Sequence, residues 1–188
     1  MRLLRIAILT AVVMVGMTFS GCLSGSTSEV TPTSTRPAPE GIDEKAAPGY
    51  LAPGFELENF DGEAIALGSL RGRPVMLNFW ATWCGPCRAE MPYIQEVHED
   101  PAWLERGLVI LAVNIGESAS EAQSFMGELG FNFTVILDSE EKVAHAYNIS
   151  AIPTTFFIDE DGIINDIRVG TFRDKAEIER YLQKLVAE

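Results

Sequence analysis

The sequence predicts an α/β domain with a mixed central sheet, helices on both faces in three layers, and an added N-terminal β-hairpin. Three observations carry that prediction. Near-continuous apolar runs at Pro74–Trp80 and Leu108–Val113 suit central strands buried on both sides. Stretches with helical spacing alternate with such runs. Two Asp-Gly dipeptides, Asp61-Gly62 and Asp161-Gly162, each stand between short strand-like segments, as tight antiparallel turns require.

The chain opens on a leader. Arg2 and Arg5 precede an uncharged run, Ile6–Phe19, whose 14 residues suit the core of a signal peptide and are too few for a transmembrane helix. Ser20 and Gly21 then lead to Cys22, an ending that resembles the bacterial lipoprotein lipobox, although Phe19 replaces the usual aliphatic residue. The expectation is a signal peptide over 1–21 and a lipidated Cys22 that holds the protein on the extracytoplasmic face of a bacterial cell membrane. An ordinary cleaved signal and an uncleaved anchor are the alternatives. As a thioether, Cys22 would take no part in redox chemistry. From Leu23 to Gly49, eight residues are Ser or Thr and four are Pro. So little apolar surface cannot offset ordering entropy, so 22–49 reads as a lipidated cysteine and disordered tether, with the domain over 50–188. As a flexible coil that tether spans roughly 30 Å.

Within the domain, Phe55–Asn59 and Glu63–Leu67 form the first hairpin. Pro74–Trp80 is the first buried strand, followed by a helix from Pro86 to His98 with Met91, Ile94 and Val97 on one side. Pro92 should kink or break that helix. Leu108–Val113 is the next strand. Ser120–Leu129 reads as a helix closed by Gly130. Phe133–Leu137 is a strand and Glu140–Tyr147 a short helix. Thr154–Asp159 and Ile163–Val169 pair as an antiparallel hairpin. Asp174–Val186 ends the chain as an amphipathic helix with Ile178, Tyr181, Leu182 and Leu185 inward.

The net charge is −13, and the leader contributes only the two arginines, so the remainder is more acidic still. That balance argues against nucleic-acid binding, which needs basic patches, and mildly favours basic partners. With 47% hydrophobic residues, a core needs no metal or disulfide framework.

Chemistry concentrates at Trp83-Cys84-Gly85-Pro86-Cys87-Arg88, where a buried strand gives way to a helix. Unpaired N–H groups and the helix dipole stabilise an anion there, which lowers a thiol's pKa, and the thiolate is the reactive species. Three-residue spacing places both sulfurs on one helix face within disulfide reach. Cys84, ahead of the helix, is then the exposed nucleophile, and Cys87, one turn inside, resolves the mixed disulfide. A zinc site would need four ligands, and the remaining cysteine, Cys22, lies across the tether. A purely structural disulfide would close too short a loop to stabilise much. Two unrelated core thiols would make the intervening Gly-Pro a coincidence. The expected cofactor is therefore none beyond the Cys84–Cys87 disulfide itself, and no metal.

Residues from about 50 to 188 resemble the TlpA/ResA-type thioredoxin-like family of exported reductases, related to the redoxin and AhpC/TSA superfamily. The resemblance rests on Leu51-Ala-Pro-Gly-Phe55, on Gly72 through Pro92, on Ile152-Pro-Thr-Thr-Phe156 and on Asp159-Glu-Asp-Gly162. It implies a thioredoxin-like fold and a cis peptide before Pro153, facing the dithiol, with the Ile152 backbone pairing with a substrate peptide. It also implies that Glu90, three positions after Cys87, tunes the thiols and accepts the proton of the buried cysteine. Thioredoxin places an Asp for that task on the preceding strand, where this chain has Asn78, which cannot ionise; the alternative for Glu90 is a solvated surface acid. Trp83, with Gly85 and Pro86, is expected to shield the thiols or meet substrate, and Trp80 to lie in the core. His98 and His145 have no ligand-spaced partners. The family places an extra segment at Asn114–Gly130.

The Gly-Pro dipeptide matches thioredoxin, a reductant at about −270 mV, so the resemblance points to protein-disulfide reduction. It implies substrates such as haem-attachment cysteines of apocytochrome c or copper-site cysteines in oxidase assembly, with electrons from a membrane thiol carrier. Two alternatives stand. A peroxiredoxin-type peroxidase would need a Thr three positions before its cysteine, whereas Thr82 is two before Cys84. A copper-binding assembly protein of this fold would have wider cysteine spacing and a distal His.

Overall fold

The computed structural model describes residues 36–186. The expected signal peptide and Cys22 lie outside the described residues, as does the first part of the expected tether. Among the described residues no helix is long and apolar enough to cross a membrane.

The elements follow the apolar pattern. A short antiparallel pair, β1 (Glu56–Glu58) and β2 (Ala64–Ala66), brackets the Asp61-Gly62 turn and runs into a 3₁₀ turn at Leu67–Leu70. Then come β3 (Val75–Trp80), α1 (Gly85–His98), α2 (Pro101–Glu105), β4 (Val109–Ile115), α3 (Ala119–Leu129), β5 (Thr134–Asp138), α4 (Lys142–Ala146), β6 (Thr154–Ile158), β7 (Ile164–Val169) and α5 (Lys175–Leu185). The main sheet has the order β5-β4-β3-β6-β7, with β3, β4 and β5 parallel and β6 and β7 antiparallel to their neighbours. This is the mixed sheet the sequence predicts, and β3 lies at its centre with all six residues buried.

Strand alternation divides the core in two. Met76 and Trp80 of β3 join Met91, Ile94 and Val97 of α1, Ala122 and Met126 of α3, and Ile178, Leu182 and Leu185 of α5. Val75, Leu77 and Phe79 face the other way, toward Val143 and Tyr147 around α4 and toward Ala52 and Leu67 of the N-terminal segment. Helices thus cover both faces unequally, and the N-terminal segment completes the thinner layer. It also reaches both sheet edges. Leu51 bridges Ile163 beside β7, and Asn59 bridges Ile136 of β5, so edge groups that would otherwise invite another strand are partly covered.

Three features depart from expectation. The packed chain begins before Tyr50: Leu51 N–H donates to Asp43 O, and Gly49 N–H donates to Ile164 O, so residues 43–49 join the domain through backbone bonds. Helix α2 was not anticipated; Asp100 caps it by accepting from Ala102 N–H, and Pro101 opens it. Finally, α1 runs unbroken through Pro92. Packing of Met91, Ile94 and Val97 into the core holds the turns on either side of it. Gly130 closes α3 at φ 73°, as predicted, while the start of that helix lies earlier than expected, at a capping box formed by Ser118 with Glu121.

Tyr147 anchors the thinner layer. Its ring lies 4.9 Å from Phe156 and 5.3 Å from Phe79, and its hydroxyl donates to Pro53 O at 2.8 Å. Tyr147→Phe keeps the ring contacts and loses one hydrogen bond. Chemical denaturation is expected to show a loss of about 1 kcal/mol. A change under a few tenths of that would mean the bond contributes nothing to docking the N-terminal segment.

Candidate active site

Strand β3 delivers the chain to the sheet's end, where Cys84 N–H donates to Ala81 O and turns the backbone. Cys84 is the N-cap of α1, with φ −79° and ψ 100°, and Arg88 N–H makes the first helical bond to Cys84 O at 3.1 Å. Pro86 sits in the first turn, where a missing N–H costs nothing. The sulfur does what a capping oxygen does in other helices: Cys84 Sγ accepts Cys87 N–H at 3.1 Å. Cys84 and Cys87 are joined as a disulfide with Cα atoms 5.3 Å apart.

Cys84 is less exposed than expected. It keeps 4% of its surface against 1% for Cys87, because the capping position tucks its sulfur 3.7 Å from the Ile152 carbonyl oxygen. The peptide between Ile152 and Pro153 is cis, as the resemblance implies. Ile152 is half-buried and Pro153 buried. Around the disulfide, Trp83 is 70% exposed, Gly85 and Pro86 are open, and Trp80 is buried behind them. A Cβ on Gly85 would meet nothing within 4 Å, so packing does not demand glycine there.

Glu90 is fully buried, which removes the surface-acid alternative. Its Oε1 accepts from Asn78 Nδ2 at 2.9 Å and its Oε2 from Phe172 N–H at 2.9 Å. Asn78 Nδ2 also donates to Thr155 Oγ1, so the neutral amide ties β3, β6 and α1 together. Burial pushes the Glu90 carboxyl up from its usual 4.5 to about 7; the Phe172 and Asn78 hydrogen bonds and the Arg168 charge pull it down, and Glu177 adds to the rise. A group poised near neutrality exchanges a proton readily.

Two sets of contacts were not legible beforehand. The loop after β7 touches three parts of the site: Gly170 N–H donates to Pro153 O at 2.8 Å, Thr171 Oγ1 to Pro86 O at 3.1 Å, and Phe172 N–H to Glu90. Backbone donors leave no mark in a sequence. The second set shows what the extra segment at Asn114–Gly130 reaches. Glu117 accepts from Thr82 N–H at 2.8 Å, from Thr82 Oγ1 at 2.5 Å and from Asn114 Nδ2 at 2.7 Å, which fastens the residues ahead of Cys84 to the end of β4. His98 lies in the last turn of α1, edge-on to Phe133, and His145 in the last turn of α4. Among the described residues no group of three or more His, Cys, Asp or Glu is placed to hold a metal ion.

Comparison with known proteins agrees with this geometry. Residues 48–167 match the model of the AhpC/TSA family. The chain is 41% identical over 139 residues to the thiol-disulfide oxidoreductase ResA of Geobacillus kaustophilus, covering 74% of this chain and 78% of that one. A thiol:disulfide interchange protein of the thioredoxin family from Chlorobium tepidum superposes with a TM-score of 0.65 at 31% identity, covering 77% of this chain and all of that one. The exposed lipoprotein thioredoxin of Streptococcus pneumoniae superposes with a TM-score of 0.62 at 29% identity, covering 71% and 100%.

Proposed function

The chain belongs to the AhpC/TSA family and is a dithiol oxidoreductase akin to ResA, and from that premise we propose that it is a lipid-anchored, extracytoplasmic reductase of protein disulfides. The observation that carries this reading is the Cys84–Cys87 disulfide capping α1 beside Ile152 and Pro153, with Glu90 buried one turn behind.

In the reducing half-reaction the Cys84 thiolate attacks one sulfur of a substrate disulfide. A mixed disulfide forms and a substrate thiolate leaves, taking a proton from solvent. Cys87 gives its proton to the Glu90 carboxylate and attacks Cys84 Sγ, which releases the second substrate thiol and closes the enzyme disulfide. Two electrons pass to the substrate. A membrane thiol carrier returns them by the reverse exchange, which is the use of an anchor at Cys22. Trp83, Gly85, Pro86 and the Ile152 backbone receive the substrate, and the haem-attachment cysteines of apocytochrome c or copper-site cysteines are substrates of the right chemistry. Anchoring draws support from the lipobox-like leader and from the pneumococcal relative's description as a lipoprotein.

The peroxidase reading has less support: two cysteines within one helical turn, already bonded, make a protein-disulfide exchanger, and Thr82 is engaged by Glu117. Copper binding would use the same sulfurs. Equilibrating the full-length protein in glutathione or dithiothreitol buffers gives the test. A two-electron couple near about −270 mV supports a reductase, and one near about −120 mV reverses the direction. No reversible couple at all removes the oxidoreductase reading and leaves Cu(I) binding to be titrated.

A further inference from the structure

We propose that Arg168 and Glu177 are positioning residues for the redox site: together they brace the Gly170–Phe172 loop against the dithiol and set the charge that Glu90 faces. The reading of Cys84–Cys87 as a redox dithiol underlies this inference.

Arg168 is the penultimate residue of β7, and its guanidinium reaches the loop that follows. Nη1 donates to Val169 O at 2.6 Å, and Nη2 donates to Thr171 O at 3.1 Å. Those two carbonyls flank Gly170, whose N–H holds Pro153 O, and Thr171 also holds Pro86 O through its hydroxyl. One arginine therefore fixes the segment that contacts the cis-proline loop, the first turn of α1 and, through Phe172 N–H, Glu90. Arg168 Nε is buried with no partner among the described residues, which a side chain free to swing outward would avoid.

Glu177 holds the guanidinium in place. It is 6% exposed, its Oε1 lies 3.6 Å from Arg168 Nη2, and its Oε2 accepts from Arg173 N–H at 3.0 Å. Asp174 caps α5 by accepting from Glu177 N–H, so the helix start fixes where Glu177 stands. The pair is only partly buried, and Glu177 keeps Arg173 beside it, with Arg173 Nε 3.4 Å from Oε2, so removing Arg168 shifts a local charge balance rather than stranding a buried ion.

Among the described residues, Glu90 is acted on from several elements. Asn78 comes from β3, Phe172 N–H from the loop, Arg168 from β7 and Glu177 from α5, while Cys87 lies one turn back on its own helix. Arg168 favours the ionised carboxylate and Glu177 opposes it. The pair thus acts on Glu90 with opposite signs, which no purely structural role would do.

The experiment follows the Glu90 side-chain carboxyl carbon by NMR against pH in the oxidised full-length protein, the signal being assigned by its loss in E90Q. Arg168→Met keeps the apolar stem and removes the charge. Its Glu90 midpoint is expected to rise by about half a pH unit, roughly threefold in the ionisation constant. Glu177→Gln retains an acceptor for Arg173 N–H and is expected to lower the midpoint by a similar amount. Arg168→Lys keeps the charge with a different donor geometry, so the midpoint stays near wild type while amide exchange at Gly170 and Phe172 quickens. The proposal is overturned if R168M fails to raise the midpoint, if E177Q fails to lower it, or if R168K leaves amide exchange at Gly170 and Phe172 unchanged. If R168M does not fold, E177Q and R168K still decide. Because this readout needs no substrate and no redox turnover, a protein lacking a reversible dithiol couple would sink the proposed function separately.

Discussion

Cys84→Ser is expected to abolish disulfide reduction, by on the order of a thousandfold or more, while Cys87→Ser is expected to stop at a trapped mixed disulfide. The two outcomes differ because the cysteines occupy different places on one helix. Cys84 caps α1, where Cys87 N–H and the helix dipole favour its thiolate. A serine there keeps the cap and loses the nucleophile, since a hydroxyl does not ionise near neutral pH. Cys87 lies inside the first turn, nearly without surface, and reaches no substrate directly. Its loss leaves attack intact and removes the thiol that resolves the intermediate. Mass spectrometry of C87S mixed with a disulfide-containing protein should find one covalent adduct per chain, cleaved by dithiothreitol. Adducts with C84S instead of C87S would exchange the two roles. Rapid peroxide consumption by the wild type, with sulfenic acid on Cys84 and no protein adduct, would favour the peroxidase reading.

How far the site could be foreseen depended on whether its determinants are local. Cys84, Pro86 and Cys87 form a continuous motif whose chemistry follows from spacing and from the strand–helix junction, so their pairing at a helix N-terminus was readable in advance, whereas the sulfur cap that tucks Cys84 inward was not. The buried strands were readable for the same reason: a run such as Val75–Trp80 can be satisfied only between two covered faces. Glu90 was readable as a position. Its burial was not, because it is made by Asn78 twelve residues before it and Phe172 N–H 82 residues after. Glu117 and Thr82 meet across 35 residues with no pattern to announce them. The five-residue α2 was missed although Asp100-Pro101 is a helix start; it is too short for periodicity to register. Residues 43–49 looked like tether because composition counts apolar side chains. What holds them is backbone hydrogen bonding, from Gly49 to Ile164 of β7 and otherwise among themselves and with Tyr50 and Leu51, together with the packing of the small Ala46, none of which composition registers.

Glu90 also governs how stability responds to pH. Its carboxyl ionises near 7 in the folded protein, against an ordinary value of 4.5. Below about pH 4.5 it is protonated in both folded and unfolded chains and contributes no pH dependence. Between about 4.5 and 7 the unfolded chain ionises freely while the folded chain still holds its proton. Folded protein then binds more protons, so stability falls as pH rises, by up to about 1.4 kcal/mol per pH unit. Above the folded pKa both forms are ionised, and a cost of about 3 kcal/mol stays in place. Glu90→Gln removes that dependence without emptying the site. The Gln carbonyl can accept from Phe172 N–H, and its amide can donate to Asn78 once the Asn78 amide turns over. Relative to wild type, E90Q should therefore gain about 3 kcal/mol between pH 4.5 and pH 8, whatever its offset at low pH. Taking the difference cancels groups with other shifts that do not touch Glu90, such as Asp100, which is held below its ordinary range by the hydrogen bond from Lys175. Urea denaturation of the oxidised proteins at a series of pH values measures it. Parallel curves for the two proteins would show that Glu90 ionises normally despite its burial, and it could then not act as a proton acceptor poised near neutrality for Cys87.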